Sequence, residues 1–308
     1  MTKPEEKPQE QARILVVTPS HNEEAYLPRT IASMEAQVVK PALWILVDDG
    51  SSDATGRIAD MAASRNPGWI RSLHRPPRTD RSVGPGVVDA FYAGLEQVNL
   101  EDFDYLCKLD GDLEFSPRLF EKLLEKGREN PRLGTWSGKI WEKDLSGKVR
   151  LYRTNPQFSV GCCKFYRTQV FLEIGGFVRQ VMWDGIDCHK CRMLGWEARS
   201  FHDEDLRLLH LRPMGSSKGN IFLGRRRWGR GQYFMGTHPL YLLGIVFYRL
   251  WEPPYILGGL NILFGYLHAW ITGAEQYDDK EFRRFLRRWQ MERLGLAFLA
   301  GGRRDRGG

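Results

Sequence analysis

Disulfide patterning, internal repeats and low-complexity linkers are all missing from this 308-residue chain. Its five cysteines, Cys107, Cys162, Cys163, Cys188 and Cys191, are odd in number and follow no framework spacing, which excludes a small disulfide-stapled scaffold. No apolar leader opens the chain. The first twelve residues are polar and charged, so an unstructured lead-in and a reducing, cytosolic compartment are expected. Cys188 and Cys191 have zinc-ligand spacing, but no second pair completes the set, and zinc is not expected. No Gly-rich, Lys- or Arg-bearing loop follows Val17, which argues against a nucleotidyltransferase. Acidic excess is absent too: the formal net charge is +7.

What is present fits a sizeable core, with 42% hydrophobic and 27% charged residues. The length suits one large α/β domain plus an appendage. Ile14-Leu15-Val16-Val17 reads as a buried parallel strand ending in the polar turn Thr18-Pro19-Ser20-His21-Asn22-Glu23. Leu27, Ile31 and Met34 then recur at helical spacing over about 24–37. Trp44-Ile45-Leu46-Val47 is the next strand, ending at Asp48-Asp49-Gly50-Ser51, with a helix over about 54–66. Tyr105 to Leu109 is a third, ending at Asp110-Gly111-Asp112, with a helix over about 117–128. Beyond Gly134 short strand-like pieces alternate with turns, and 188–195 suggests a short helix.

Three strands thus end in polar or acidic turns, at the edge where open α/β sheets bind ligands. Asp110 and Asp112, one residue apart, can present both carboxylates to one hard cation, Mg²⁺ or Mn²⁺, with positions left for phosphate oxygens. A bare Asp-x-Asp is also common as a solvated turn; its place at a strand end singles this one out. Asp48 and Asp49 suit a base N–H or a ribose hydroxyl, and Gly50 lets backbone approach a ligand. An Asx turn opening the next helix is the equal alternative.

The order and spacing of these pieces resemble family 2 glycosyltransferases over roughly residues 13–215. Thr18-Pro19-Ser20-His21-Asn22-Glu23 looks like that family's first nucleotide-pocket turn, and Asp48-Asp49-Gly50-Ser51 like its second. Asp110-Gly111-Asp112 looks like its metal-binding Asp-x-Asp, and Gly84-x-Gly86 with Ala93-Gly94 like its glycine-rich helix entry. The resemblance implies a GT-A fold, a Rossmann-like mixed sheet flanked by helices. It also implies an NDP-sugar donor, UDP by default, and inversion at the anomeric carbon. The family's general base is an Asp in an acidic pair after a Gly-Gly-Phe turn. Here Gly175-Gly176-Phe177 leads to Trp183-Asp184-Gly185-Ile186-Asp187, and counting back from Gly195 puts Asp184 at that position. Trp183 replaces the usual Glu, and Asp187 is the second candidate. His210 matches a late metal-ligand His of related enzymes, with a purely structural role as the even alternative. Arg227-Trp228 resembles the end of the processive Gln-x-x-Arg-Trp motif, but Gly224 stands in the Gln position, so transfer of one sugar at a time is expected.

Two stretches, 232–248 and 253–274, contain no Lys, Arg, Asp or Glu, and the second is long enough to span a bilayer. Arginine clusters flank them: Arg225, Arg226, Arg227 and Arg230 before, and Arg283, Arg284, Arg287 and Arg288 after. Basic runs around apolar runs favour an anionic membrane surface over nucleic acid. Residues 281–293 add an amphipathic pattern, with Phe282, Phe285, Leu286 and Trp289 on one face. The expected organisation is a lead-in (1–12), a catalytic domain (13–230), a membrane-associating helical region (231–295) and a basic tail (296–308). Within the domain, a donor half (about 13–115) precedes an acceptor half (about 116–230). A peripheral or hairpin-anchored enzyme at the cytoplasmic face of a membrane follows, its acceptor lipid-linked or a saccharide. A polyprenyl phosphate acceptor and a non-catalytic membrane scaffold are the alternatives.

Overall fold

The computed structural model describes residues 12–77, 85–143, 147–212, 221–251 and 254–296. The lead-in before Ala12, the tail beyond Leu296 and Gly84 of the glycine-rich entry lie outside the described residues.

Strands β1 (Ile14–Ser20), β2 (Leu43–Asp48), β3 (Ile70–His74) and β4 (Tyr105–Leu109) alternate with helices α1 (Leu27–Glu35), α2 (Thr55–Arg65) and α3 (Pro85–Leu95). The short β5 (Leu113–Phe115) and helix α4 (Leu119–Glu129) follow. Then come β6 (Leu133–Gly138), β7 (Ile140–Lys143), β8 (Val149–Leu151), β9 (Cys163–Arg167) and α5 (Thr168–Glu173). The chain goes on through α6 (Trp183–Met193), β10 (Glu197–Phe201), β11 (Leu208–His210), α7 (Ile221–Met235), α8 (Pro239–Arg249), α9 (Tyr255–Ile271) and α10 (Lys280–Arg293).

Seven strands form one mixed sheet in the order β10-β6-β9-β4-β1-β2-β3, and β5-β11-β7-β8 form a second, smaller sheet. In the large sheet only β9 runs against its neighbours. The period of two in a strand puts Ile14 and Val16 of β1 into one apolar cluster with Trp44, Trp136 and Phe165. Leu15 and Val17 enter the opposite cluster, with Ile45, Phe91 and Tyr166. Both faces are covered, which is why the strands read as unbroken apolar runs. The mixed sheet flanked by helices is therefore the expected fold class.

The C-terminal region departs from expectation. The composition boundary at Gly231 falls inside the continuous helix α7. The uncharged stretch 253–274 yields α9, a helix of 17 residues. At 1.5 Å per residue that is about 25 Å, short of the ~30 Å hydrocarbon core. Among the described residues, no helix is long and apolar enough to cross a membrane. α9 instead packs on α7. A Cβ on Gly265 would collide with the Arg226 carbonyl, and one on Gly229 with that of Ile262, so the two backbones lie in direct contact. α10 also differs from the interfacial helix expected of it. Phe282 and Leu286 are fully buried against Ile186 and Met235, so protein rather than lipid covers much of its apolar face.

Candidate active site

The carboxyl ends of β1, β2 and β4 open onto one cavity of about 1120 Å³. The first two turns brace each other. Asn22, at φ +54°, accepts from the Ser52 N–H through its side chain (2.9 Å), and its own N–H donates to Ser51 Oγ (3.0 Å). The Asp49 N–H donates to the Ser20 carbonyl (2.8 Å), and the His21 ring meets the Asp49 carbonyl (2.9 Å). Asp48 accepts from the Ser51 N–H (3.1 Å) and pairs with His74 (3.2 Å). Thr18 is buried and accepts from the Trp44 indole (2.9 Å). Pro19, His21, Glu23 and Asp49 line the cavity; Thr18, Asn22, Asp48, Gly50 and Ser51 build the turns around it. Gly50, at φ +68°, makes the second turn possible. Arg75 pairs with Asp49 at 2.5 Å, a partner that lies outside every expected motif.

The third turn is held by Thr30, whose hydroxyl lies 2.8 Å from the carbonyls of both Gly111 and Leu113 and accepts from the Leu113 N–H (3.1 Å). Gly111 packs closely on the first turn: a Cβ there would lie 2.8 Å from Ser20 Oγ, and the serine would have to rotate away. β11 pairs with β5 so that His210 stands opposite Leu113, beside Asp112. One ligand atom each from Asp110, Asp112 and His210 then fall within 4.8 Å of one another.

Two observations fit this cluster to a divalent cation. Asp112 Oδ1 is buried with no hydrogen-bond partner among the described residues, 3.6 Å from His210 Nε2. His210 Nδ1 lies 2.7 Å from the Arg212 carbonyl, which only a protonated Nδ1 satisfies. Nε2 is then free to offer its lone pair, the tautomer that ligating histidines use. Burial raises the Asp110 carboxyl above its usual range, and the Lys108 ammonium opposes that shift. Arg212 bridges Asp112 (2.6 Å) and Glu23, so these carboxylates already face positive charge.

Across the cavity lies the first turn of α6, whose entry is Met182 at φ +75°. The helix begins five residues earlier than its cysteine-rich part suggests. Asp184 lines the cavity, and no hydrogen bond to its carboxylate is made among the described residues. It packs against Gly161, where a Cβ would lie 2.7 Å from Asp184 Oδ2. Asp187 corrects the second candidate for the base. It is 1% exposed, bonded to Lys164 (2.5 Å) and Tyr166, and absent from the cavity lining: one turn further along α6 than Asp184, it is covered by β9. Trp183 packs on Phe177 with ring centroids 4.5 Å apart and presents an edge to the cavity. Trp228 lines the wall and Arg227 does not.

Lys108, Lys164, Arg212, Thr30 and Arg75 escaped sequence reasoning. Lys108 left a visible sign, a lysine inside an otherwise apolar strand. Beyond Asp184 the cavity runs on between Phe158, Met235, Tyr241, Ile245, Tyr248 and Trp289.

A family model described as glycosyl transferase family 2 matches residues 15–176. The chain is 33% identical over 116 residues to an undecaprenyl-phosphate mannosyltransferase of Micrococcus luteus, covering 38% of this chain and 44% of that protein. It is 30% identical over 229 residues to an undecaprenyl-phosphate 4-deoxy-4-formamido-L-arabinose transferase of Pseudomonas aeruginosa, covering 64% and 62%. The chain thus spans less than two thirds of the length of these curated relatives. A mannosyltransferase from Pyrobaculum calidifontis, solved with GDP-Man and Mn²⁺, shares the fold at 14% identity and a TM-score of 0.55, over 94% of this chain and 87% of that one. With the family model covering more than half its length, the chain belongs to glycosyl transferase family 2.

Proposed function

We propose that the protein transfers one sugar at a time from an NDP-sugar, UDP favoured, to a hydroxyl of a lipid-linked saccharide, with inversion at the anomeric carbon. One observation carries this reading: a single cavity joins the Asp110–Asp112–His210 cluster to the Asp184 carboxylate and continues into an apolar arm. Asp110, Asp112 and His210 would hold Mg²⁺ or Mn²⁺, which supplies positive charge for a departing diphosphate. Asp49, His21 and the turn from Pro19 to Glu23 hold the nucleoside, and Gly111 lets it approach the strand edge. Asp184 accepts the proton of the acceptor hydroxyl as that oxygen attacks the anomeric carbon. The donor side corresponds to about residues 13–115 and the acceptor side to about 116–230.

The apolar arm leads toward α8, and the outer faces of α8 and α9 expose Leu243, Phe247, Tyr255, Ile256, Phe264, Trp270 and Ile271. Such a contiguous patch marks an interaction surface. With arginines around it, it suits a helix pair lying in an anionic membrane interface. A peripheral enzyme at the cytoplasmic face follows, its acceptor delivered from the lipid.

The names of the relatives favour a second reading, in which the acceptor is a polyprenyl phosphate. A phosphate oxygen is already ionised and needs no base. Asp184→Asn separates the two. With a hydroxyl acceptor, kcat should fall about 10²–10⁴-fold while nucleotide affinity stays unchanged. Nearly intact transfer to a polyprenyl phosphate would replace the first reading with the second.

A further inference from the structure

Two lysines stand directly opposite each other where β4 and β9 pair, Lys108 against Lys164. They are 2% and 0% exposed. Like charges facing each other across a strand pair are destabilising, and burying each one costs more. Each lysine is therefore held by specific partners. Lys108 bonds the Asp110 carboxylate and the Gly161 carbonyl (2.9 Å). Lys164 bonds Asp187 Oδ2 (2.5 Å), the Asp184 carbonyl (2.9 Å) and Ser159 Oγ (3.2 Å). The Trp183 ring lies over both ammonium groups, at 5.2 and 5.7 Å.

These contacts converge on the first turn of α6. That turn enters through a non-glycine residue in the left-handed region and has no side-chain cap. Strained backbone of this kind persists only where surrounding structure fixes it. Lys164 grips the Asp184 carbonyl from within the core. Gly161, tied to Lys108, forms the floor on which the Asp184 carboxylate rests.

We infer that Lys164, anchored on Asp187, is a positioning residue: it fixes the first turn of α6 so that the Asp184 carboxylate faces the acceptor space. The inference rests on the proposed role of Asp184. It gives the buried Asp187 a function as the anchor of the base's support, distinct from the base itself. It also gives a reason for Trp183, whose π face lies over both cations.

Lys164→Met alone would strand Asp187 as a buried unpaired charge and destabilise the fold. The test is therefore the double variant Lys164→Met/Asp187→Asn, which removes both charges and leaves Tyr166 an acceptor. Melting temperature, nucleotide affinity by calorimetry, donor KM and kcat are measured with position 184 either native or carrying Asp184→Asn. With Asp184 native, we expect nucleotide affinity and donor KM within about twofold of wild type. We expect kcat to fall on the order of 10²-fold, as for a catalytic group displaced by about an ångström. In the Asp184→Asn background the same double substitution should lower kcat no further, since the two changes act through one carboxylate. Unchanged kcat with Asp184 native would overturn the inference, and so would an equal fall in both backgrounds. Failure of the base assignment is seen separately, as an Asp184→Asn enzyme that turns over like wild type.

Discussion

The two sides of the cavity are built in opposite ways. On the donor side, Asn22 ties the first strand-end turn to Ser51 and Ser52 of the second, and Asp48 closes that second turn on Ser51. Each of these bonds stays within the two turns and none reaches the acceptor side, so the donor wall is held together by its own residues. On the acceptor side, one carboxylate sits on a helix with a strained, uncapped entry, steadied by a lysine from β9 and a glycine from the loop before it. The donor wall should therefore tolerate changes on the acceptor side, and the two functions should separate in mutants.

Gly161→Ala should show the largest separation. Its new methyl would meet the Asp184 carboxylate at 2.7 Å and push it from its seat. A loss of kcat on the order of 10²-fold with unchanged nucleotide affinity is expected from steady-state kinetics and calorimetry. Equal losses in both would mean that the two sides are one mechanical unit. A smaller effect should follow from the double change Phe247→Glu/Ile271→Glu on the outer apolar face. Burying each parent side chain is worth roughly 1.5–3 kcal/mol, so flotation with anionic liposomes should drop at least about tenfold. Turnover of a detergent-dispersed acceptor should hold. Unchanged flotation would remove α8 and α9 from the membrane account.

The smallest effect concerns His74, which pairs with Asp60 (2.8 Å) and Asp48 behind the donor turn. The Asp60 hydrogen bond is the main cause raising the His74 pKa above its usual value. A raised folded-state pKa gives stability that is complete below about pH 6.5 and lost as pH rises through the folded value. His74→Asn should therefore lower the melting temperature at pH 6 and leave it unchanged at pH 9. The ring is about half exposed, which limits the difference to about 2 °C. A difference that grows with pH would contradict the pairing.

The same contrast explains what could be read from the chain. β4 was legible to the residue, and β1 and β2 as their apolar centres, because buried parallel strands show as unbroken apolar runs bounded by polar turns. Asp110 and Asp112 were legible because the strand end and the acidic pair coincide. The start of α6 was not, since a left-handed methionine leaves no mark in residue type. Asp187 looked like a second base because it lies one helical turn from Asp184, and nothing in the spacing showed that β9 covers that turn. Arg212 meets Glu23 across 189 positions of chain, and no local pattern signals such a contact. Lys108 is instructive: it interrupts an apolar strand, and a charge in that place signals a buried partner elsewhere. In the tail, composition pointed to membrane association; the structure shows exposed apolar residues on α8 and α9, and it packs Phe282 and Leu286 of α10 against protein, since an amphipathic pattern suits a protein neighbour as well as a lipid one.

The most direct test of the account is calorimetric titration of UDP, GDP and dTDP into the protein with and without Mn²⁺, repeated with Asp112→Ala. Tight, metal-dependent binding of one nucleotide is expected, abolished by the substitution while the fold is retained. Binding of none of the three by the folded wild-type protein, or binding indifferent to both Mn²⁺ and Asp112, would contradict it.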